Sequence, residues 1–379
     1  MAATDSYAGG DGRLSPLSTP SATRAVLEAH GIGTKYTLGQ NFLVNDDVLK
    51  KIIALAEVGE NDRVLEVGPG IGTLTIALLK HAASVIAIER DPDLPAVLAD
   101  TLHPWREKFA LIEKDALDVT RDDIVAAMVE IGGDTGYPDR ASSAANETAQ
   151  WAVSQSEDCL SESGYPVAPP QEDLQLSLPS KLVANLPYAV AATVVLDYFE
   201  NFPFLDSATI MVQKEVADRM AAAVGTKNYG AYTVKLGLYA EPVGRFAVGP
   251  GNFFPPPRVD SAVIRLNRRV PLMADGAPAS PEVIAAAALM ADAAFTNRRK
   301  TIANSCKTYF SGRGPISLGA GPSAQEGAPG IVLPDDAAFA ERLAAIFDAA
   351  TIDPRRRGET LTQQEFLALG AALLKVTAA

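Results

Sequence analysis

A regular alternation of short apolar runs and amphipathic helical segments is the feature that most limits what this chain can fold into. The strand patterns are Arg63–Val67, Ser84–Ile88, Phe109–Glu113, Lys181–Ala184, Ala208–Val212 and Ala262–Leu266. Helical patterns follow two of these runs, from Thr73 to His81 and from Val190 to Phe199. Strands that alternate with helices are typical of a parallel sheet with helices on both faces. The sequence therefore predicts an α/β, Rossmann-like sheet.

Composition shifts divide the chain into further parts. Residues 1–20 are rich in Ser, Gly and Pro, and we expect them to form a disordered tail. The Rossmann-like domain is predicted over residues 21–274, interrupted at residues 132–177 by an acidic insertion that we expect to be disordered. Strand patterns disappear after Ser280, so an all-helical domain is predicted over residues 275–379, with residues 311–334 as a loop between its helices.

The net charge of −13 argues at first against a nucleic-acid partner, because phosphate contacts need cations. The distribution of charge weakens that argument. Between Glu130 and Leu178 there are nine acidic residues and one arginine, so eight of the thirteen net negative charges lie in one segment. The rest of the chain can therefore present a basic surface.

Cysteine and histidine, the residues of disulfides and of most zinc sites, are few in this chain. Cys159 and Cys306 are far apart in the sequence, which excludes a disulfide scaffold and a cysteine zinc site and favours a reducing cytosol. His30, His81 and His103 lack ligand spacing, so no metal is expected. No run of about 18 apolar residues and no secretory signal is present. We expect a cytoplasmic protein, without membrane contact, that acts as a monomer.

A glycine-rich loop, Glu66–Gly72 (EVGPGIG), lies between a predicted strand and a predicted helix. Glycines allow a tight turn and bring backbone amides close to a ligand. A dinucleotide-binding loop would have its third glycine where Thr73 stands, which disfavours a nicotinamide dehydrogenase. The spacing at Gly68 and Gly70, with an acidic residue before it, resembles the loop of Rossmann-like methyltransferases, which contacts the amino-acid part of S-adenosylmethionine. The alternative is a simple tight turn.

Two acidic residues follow the next two predicted strands. Glu89 comes after Ser84–Ile88, where a carboxylate can accept hydrogen bonds from both ribose hydroxyls of an adenosine. Asp115 follows the third strand, where a carboxylate can accept a hydrogen bond from the adenine amino group. Each could instead be an ordinary solvated charge. Parallel sheets bind ligands at the carboxyl ends of their strands, however, so the pair indicates a nucleoside site.

Asn185-Leu186-Pro187-Tyr188 follows the predicted strand Lys181–Ala184. The Asn185 side-chain carbonyl and the Leu186 backbone carbonyl can converge on one amino group, and Tyr188 offers a flat face on which a base can stack. Such a set suits the methylation of an exocyclic amine. A turn that ends in a core tyrosine is the alternative for this motif taken by itself.

Taken with the glycine loop and NLPY, five further motifs resemble those of the ribosomal RNA adenine N6-dimethyltransferases, and in particular the small-subunit members of that family. These are KYTLGQNFL (Lys35–Leu43), QKEVADR (Gln213–Arg219), KNYG (Lys227–Gly230), FFPPPRVDS (Phe253–Ser261) and FTNRRKTIAN (Phe295–Asn304). The resemblance covers residues 24–130 and 178–375. It implies a class I methyltransferase sheet, a C-terminal helical RNA-binding domain, and S-adenosyl-L-methionine as the methyl donor.

The resemblance also implies roles for individual residues. Those that would contact the methyl donor are Asn41, Leu43, Gly68, Gly70, Glu89, Asp115 and Asn185. Asn185 and Leu186 would also hold the target amine, with Tyr188 stacking on one face of the adenine. Phe253 would stack on the other face, with Phe254 as the alternative.

The RNA contacts that the resemblance implies lie outside this pocket, at Arg298, Arg299 and Lys300. A solvated basic surface is the alternative interpretation of that run. The expected partner is the small-subunit rRNA within an immature 30S-type subunit.

Three functional hypotheses remain open at this point. The first is an enzyme that dimethylates adjacent adenines in a hairpin loop of small-subunit rRNA during ribosome biogenesis. The second is the same chemistry on large-subunit RNA, as in resistance methyltransferases. The third is a ribosome-assembly factor that keeps the fold without the activity, and the intact Glu89, Asp115 and Asn185–Tyr188 set weighs against it.

Overall fold

The structure, a computed structural model, describes residues 12–33, 40–131, 178–312, 316–317, 330–331 and 338–377. The elements up to residue 131 are α1 (Pro20–Ala29), β1 (Phe42–Leu43), α2 (Asp46–Ala56), β2 (Arg63–Val67), α3 (Thr73–Leu79), β3 (Ser84–Ile88), α4 (Leu94–Thr101), β4 (Phe109–Ile112) and α5 (Arg121–Ile131). The predicted acidic insertion, residues 132–177, lies outside the described residues.

The second half of the chain contributes seven further helices and seven further strands among the described residues. They are β5 (Lys181–Asn185), α6 (Ala191–Asn201), β6 (Ser207–Gln213), α7 (Lys214–Met220), α8 (Ala231–Gly237), β7 (Ala240–Val248), β8 (Phe253–Phe254), β9 (Ser261–Arg268), α9 (Pro281–Phe295), α10 (Ile302–Phe310), β10 (Ile316–Ser317), β11 (Gly330–Ile331), α11 (Phe339–Ala349) and α12 (Gln363–Thr377).

Seven strands form one sheet in the order β4-β3-β2-β5-β6-β9-β7. The first five are parallel to one another, and β9 is antiparallel to both of its neighbours. Parallel strands need a crossover helix between them, and the predicted alternation of strands and helices supplies these helices. The predicted α/β, Rossmann-like fold is confirmed.

Both faces of the sheet are buried, as the apolar runs predicted. Side chains alternate between faces along a strand, so Val64 and Val85 pack with helices α1 to α4 while Leu65 and Ile86 pack with α5 to α7. All four of these side chains are at most 1% exposed. A strand buried on both sides reads as a continuous apolar run, which is why the sequence marked these strands clearly.

Helices α9 to α12 pack around a separate apolar core. Tyr229 and Val234 belong to that core although they precede residue 275, so the predicted domain boundary does not separate the two sets of contacts. The prediction of residues 311–334 as a simple loop is wrong in one respect, because β10 and β11 form an antiparallel pair there, with Ile316 opposite Ile331. Within the part of the chain described, no helix is long and apolar enough to cross a membrane.

The prediction of a disordered tail over residues 1–20 is wrong for residues 12–20, which the structure describes. Leu17 is 1% exposed, and the backbone amide of Leu14 donates to Asp46 Oδ1 over 2.8 Å. Helix α1 begins at Pro20, with the Thr19 hydroxyl accepting from the Ala22 amide at 3.1 Å. Composition could not reveal this because the partner, Asp46, lies on another helix. Residues 1–11 lie outside the described residues.

The sequence analysis missed the strands that have no continuous apolar run, namely β7, β1 and β8. Strand β7 lies at the sheet edge, and it carries Pro242 and a register shift before Gly244, both of which disguise a strand in the sequence. Strands β1 and β8 have two residues each and form only because Phe42 pairs with Phe254 and Leu43 with Phe253. Pairs of this kind depend on contacts about 210 residues apart and have no local signature.

The chain leaves the described structure at the sheet edge away from the carboxyl ends of the parallel strands. Helix α5 follows β4 and must run back along the sheet before β5 can start in the same direction. Ile131 therefore lies on the side of the sheet where the parallel strands begin. Leu178 itself is 5% exposed and packs in the core.

We expect deletion of residues 134–176 to leave the methyl transfer that the family resemblance implies within about twofold of the full chain, because the composition of this segment predicts an insertion and not a part of the core. The deletion keeps Ile131 and Leu178, which anchor the flanking elements. The measurement is the initial rate of methyl incorporation, alongside thermal unfolding. Loss of ligand binding in a folded deletion variant would contradict the prediction.

Candidate active site

Three neighbouring strands, β2, β3 and β4, end in register. Val67, Ile88 and Ile112 are aligned across β2, β3 and β4. The ladder continues one residue further, since the Gly68 amide donates to the Ile88 carbonyl at 2.9 Å and the Glu89 amide to the Ile112 carbonyl at 3.0 Å. The loops that follow these strands therefore emerge side by side at one edge.

A cavity of about 520 Å³ lies at this edge. It is lined by every residue predicted to contact the methyl donor, namely Asn41, Leu43, Gly68, Gly70, Glu89, Asp115 and Asn185. Leu186 and Tyr188 line it as well. Small-molecule sites typically occupy 300–1,000 Å³ and lie at the carboxyl ends of parallel strands. The structure thus brings the predicted residues together in a space that fits a nucleoside-sized ligand.

The glycine loop needs glycine for two reasons. Gly68 and Gly70 have φ angles of 71° and 61°, in the left-handed region that residues with a Cβ rarely adopt. A Cβ at Gly70 would also lie 3.1 Å from the Phe42 ring, which lines the cavity. The loop therefore turns sharply and lets β1 approach closely.

Glu89 is held by the backbone that follows it. Its Oε1 accepts hydrogen bonds from the amides of Arg90 at 2.9 Å and Asp91 at 2.8 Å. Burial raises the pKa of Glu89, although the two amide hydrogen bonds offset part of that rise. The side chain is 9% exposed and faces the cavity at a fixed position.

Asp115 follows β4 after a short turn rather than ending the strand, because β4 stops at Ile112 and not at the predicted Glu113. Its Oδ2 accepts from Arg90 Nη1 at 2.8 Å, and its Oδ1 accepts from the Leu117 amide at 3.1 Å. These two contacts orient the carboxylate beside Glu89 at the cavity wall.

Glu66 is the most unusual group in the cavity wall. It is 1% exposed, and its Oε2 has no hydrogen-bond partner within the described residues. Burial raises the pKa of Glu66 to about 8, and the nearby charge of Glu89 adds to the rise. A cationic group of a ligand beside this buried carboxyl would favour its ionised form.

The Asn185 amide is oriented by a residue 144 positions earlier. Its Nδ2 donates to the backbone carbonyl of Asn41 at 3.1 Å, which leaves the side-chain oxygen as the acceptor. The segment that carries Asn41 is fixed in turn, because Gln40 Nε2 donates to Asp91 Oδ2 at 2.7 Å. Residues 40–43 thereby form one wall of the cavity. The sequence flagged Asn41 only through the family motif.

The phenylalanine expected to stack on the adenine is not in the cavity. Phe253 is 4% exposed and packs in the core with Leu43, its partner in the β1–β8 pair. Phe254 does not line the cavity either; the guanidinium carbon of Arg24 lies 5.4 Å from its ring centroid. Among the described residues, the aromatic side chains that line the cavity are Tyr188 and Phe42.

The predicted RNA-binding run divides into two kinds of residue. Arg298 donates to the carbonyls of Lys227 and Tyr229, both at 2.8 Å, and pairs with Glu359 at 3.4 Å. It therefore ties the loop before α8 to the C-terminal helices, which the sequence could not show. Arg299 and Lys300 are exposed.

The order of the seven strands, the single antiparallel strand and a nucleoside-sized cavity at the carboxyl ends define a class I methyltransferase fold. Comparison with known proteins narrows the class. The sequence profile of the family described as "Ribosomal RNA adenine dimethylase" matches residues 33–314. The chain belongs to this family and is an rRNA adenine dimethyltransferase.

Individual relatives agree with the family. The chain is 32% identical to "Ribosomal RNA small subunit methyltransferase A" of Geobacillus sp. (strain WCH70), covering 95% of this chain and 98% of the relative. It is 33% identical to the protein of the same name from Enterococcus faecalis (strain ATCC 700802 / V583), covering 95% and 97%.

Two solved structures share the fold. A dimethyladenosine transferase from Plasmodium falciparum superposes with a TM-score of 0.56 at 20% identity, over 88% of this chain and 98% of that one. The 23S rRNA methyltransferase ErmE superposes with a TM-score of 0.50 at 21% identity, over 88% and 99%.

The Glu66 carboxyl generates a prediction about pH. Its folded-state pKa of about 8 lies above the ordinary 4.5, so its stabilising effect is complete below about pH 4.5 and is lost as the pH rises through 8. We expect Glu66→Gln to abolish that loss, so that at pH 9 the variant gains up to about 3–5 kcal/mol over the wild type relative to pH 5. Urea unfolding of both proteins without ligand, from pH 5 to 9, measures this difference. Parallel pH curves would show that Glu66 does not titrate as described.

Proposed function

We propose that this enzyme transfers methyl groups from S-adenosyl-L-methionine to N6 of adjacent adenines in a hairpin loop of small-subunit rRNA, acting during ribosome biogenesis. The observation that carries the proposal is the oriented Asn185 side chain beside Tyr188, at the wall of a nucleoside-sized cavity. The names of the relatives from Geobacillus and Enterococcus support small-subunit RNA over large-subunit RNA.

The cavity wall fits the methyl donor chemically. The donor carries a sulfonium and an ammonium group, and the wall holds the carboxyl groups of Glu66, Glu89 and Asp115. Glu66, with its unpartnered Oε2, suits the ammonium group at the amino-acid end of the donor, beside the glycine loop. Glu89 would accept hydrogen bonds from the ribose and Asp115 from the adenine amino group. Gly68 and Gly70 let the backbone approach the ligand closely.

The residues at the end of β5 would bind and orient the target amine. Asn185 Oδ1 and the Leu186 carbonyl would accept hydrogen bonds from its two N–H groups. These hydrogen bonds would direct the nitrogen lone pair out of the plane of the ring. The Tyr188 face would stack on the adenine and stabilise the positive charge that grows on nitrogen. The donor supplies an activated methyl group, so the contribution of these residues is mainly positioning. The resulting aminium loses its proton to water, and no side-chain base is needed.

The target adenine must leave its stack to enter the cavity. Contacts with the remaining RNA would come from the surface, where structured RNA is recognised through its backbone and shape. Arg299 and Lys300 are exposed and suit phosphate contacts, whereas Arg298 is engaged by two backbone carbonyls. We therefore restrict the proposed RNA contacts in this run to Arg299 and Lys300.

The direct test is incubation of the protein with small ribosomal subunits that lack the modification and with labelled S-adenosylmethionine, followed by nucleoside analysis. Doubly methylated adenosine in the small-subunit RNA is the expected product. Label only in large-subunit RNA would overturn the substrate, and absence of doubly methylated adenosine would overturn the reaction.

We expect Asn185→Ala to reduce the methylation rate by about 10²-fold or more, because an acceptor that orients the amine in the transition state is lost. Asn267→Ala is the matched control, since Asn267 lies on β9 at the opposite end of the sheet, paired with Ser207. The control variant should keep wild-type activity, and both variants should melt near the wild-type temperature. Normal turnover by folded Asn185→Ala would mean that the amine is held elsewhere.

A second prediction separates the neighbouring cations. Arg299→Ala and Lys300→Ala should each weaken RNA binding and reduce the slope of log affinity against log salt by about one. Arg298→Ala should leave that slope unchanged and lower the free energy of unfolding by about 1 kcal/mol, because its carbonyl partners lose a donor. Filter binding at several salt concentrations and urea unfolding measure the two effects. An altered slope for Arg298→Ala would restore that residue to the RNA interface.

A further inference from the structure

Ser261 ends the motif FFPPPRVDS and does not line the cavity. Its position follows from strand direction. Strand β9 is antiparallel to β6, so its first residue lies at the edge where the parallel strands finish. Ser261 pairs there with Gln213, the last residue of β6, which lines the cavity. Strand β9, the only antiparallel strand of the seven-stranded sheet, thus begins at the edge where the cavity lies and places Ser261 there.

The Ser261 hydroxyl contacts Tyr188. The two oxygens are 2.5 Å apart, and Ser261 is 0% exposed. Tyr188 is therefore fixed at both ends of its ring: the backbone follows Pro187 at one end, and the phenolic oxygen is bonded to β9 at the other. A tyrosine ring with only its backbone attached could rotate about two side-chain torsions, and each would have to be fixed when a base stacks on it.

The backbone around Ser261 is fixed as well. The Lys214 amide donates to the carbonyl of Asp260 at 2.9 Å, which joins the end of β6 to the residue before Ser261. Strand β9 pairs with β6 over seven residues and with β7 on its other side. The hydroxyl that holds Tyr188 is thus attached to one of the most extensively paired strands of the sheet.

We infer that Ser261 is a positioning residue of this methyltransferase, which holds the Tyr188 ring through its hydroxyl in the orientation that receives the target adenine. The inference rests on the proposed stacking role of Tyr188. Ser261 itself does not line the cavity, so it acts through Tyr188 and not on the substrate. When the Tyr188 ring is already held in place, less conformational entropy is lost as the adenine stacks on it. The gain therefore appears in the step that aligns the target amine.

A double-mutant cycle tests this inference, because Tyr188→Phe and Ser261→Ala each remove the same hydrogen bond from opposite sides. We expect each variant to lower kcat by about fivefold, with KM for S-adenosylmethionine unchanged. The double variant should show the same loss as either single variant. A purely structural role for Ser261 would lower the melting temperature without this equivalence in kcat.

Ser207→Ala is the matched control, because Ser207 is a buried serine (4% exposed) at the far end of β6 and should keep wild-type kcat. Wild-type kcat in Ser261→Ala, or losses that multiply in the double variant, would overturn the inference. Should Ser261→Ala fail to fold, Tyr188→Phe tests the same bond without altering β9, and wild-type kcat there would overturn it equally. Tyr188→Ala tests the stacking role of Tyr188 separately from the hydrogen bond to Ser261. Full activity in that variant would overturn the stacking role itself.

Discussion

The alignment of parallel strands at one edge of the sheet is the constraint on which the site depends. Backbone hydrogen bonds fix the register of Val67, Ile88 and Ile112, and the loops after them inherit that alignment. Because these strands and the neighbouring β5 end at the same level, the glycine loop, Glu89 and Asn185 meet although they are far apart in the sequence. The antiparallel strand β9 adds Ser261 to the same edge because its direction is reversed.

Polar groups at this edge are buried, and burial is costly unless each group finds a partner. Glu89 is satisfied by two backbone amides, and Asn185 by the Asn41 carbonyl. Glu66 retains an oxygen without a partner among the described residues, and its raised pKa shows the same cost in another form. The cavity therefore holds these acceptors rigidly, and Glu66 is the carboxyl group whose ionised form a cation beside it would stabilise.

A protein of net charge −13 that acts on RNA must separate its charges in space. Most of the negative charge lies between residues 130 and 178 of the sequence, so the rest of the chain carries much less of it. Not every arginine in a basic run serves RNA. Arg298 and Arg268 each donate to backbone carbonyls and join parts of the fold, so hydrogen bonding within the folded chain, which the sequence does not show, decides which cations can meet phosphate.

The sequence by itself determined the α/β sheet, the glycine loop, the family and nine of the residues that line the cavity, because doubly buried strands and special backbone turns leave strong local signals. It did not determine the edge strand β7, the β1–β8 pair or the packing of Phe253 in the core. Nor could it distinguish Arg298 from Arg299 or connect Ser261 to Tyr188. Those outcomes depend on contacts between residues up to about 210 positions apart, and only the folded chain brings such residues together.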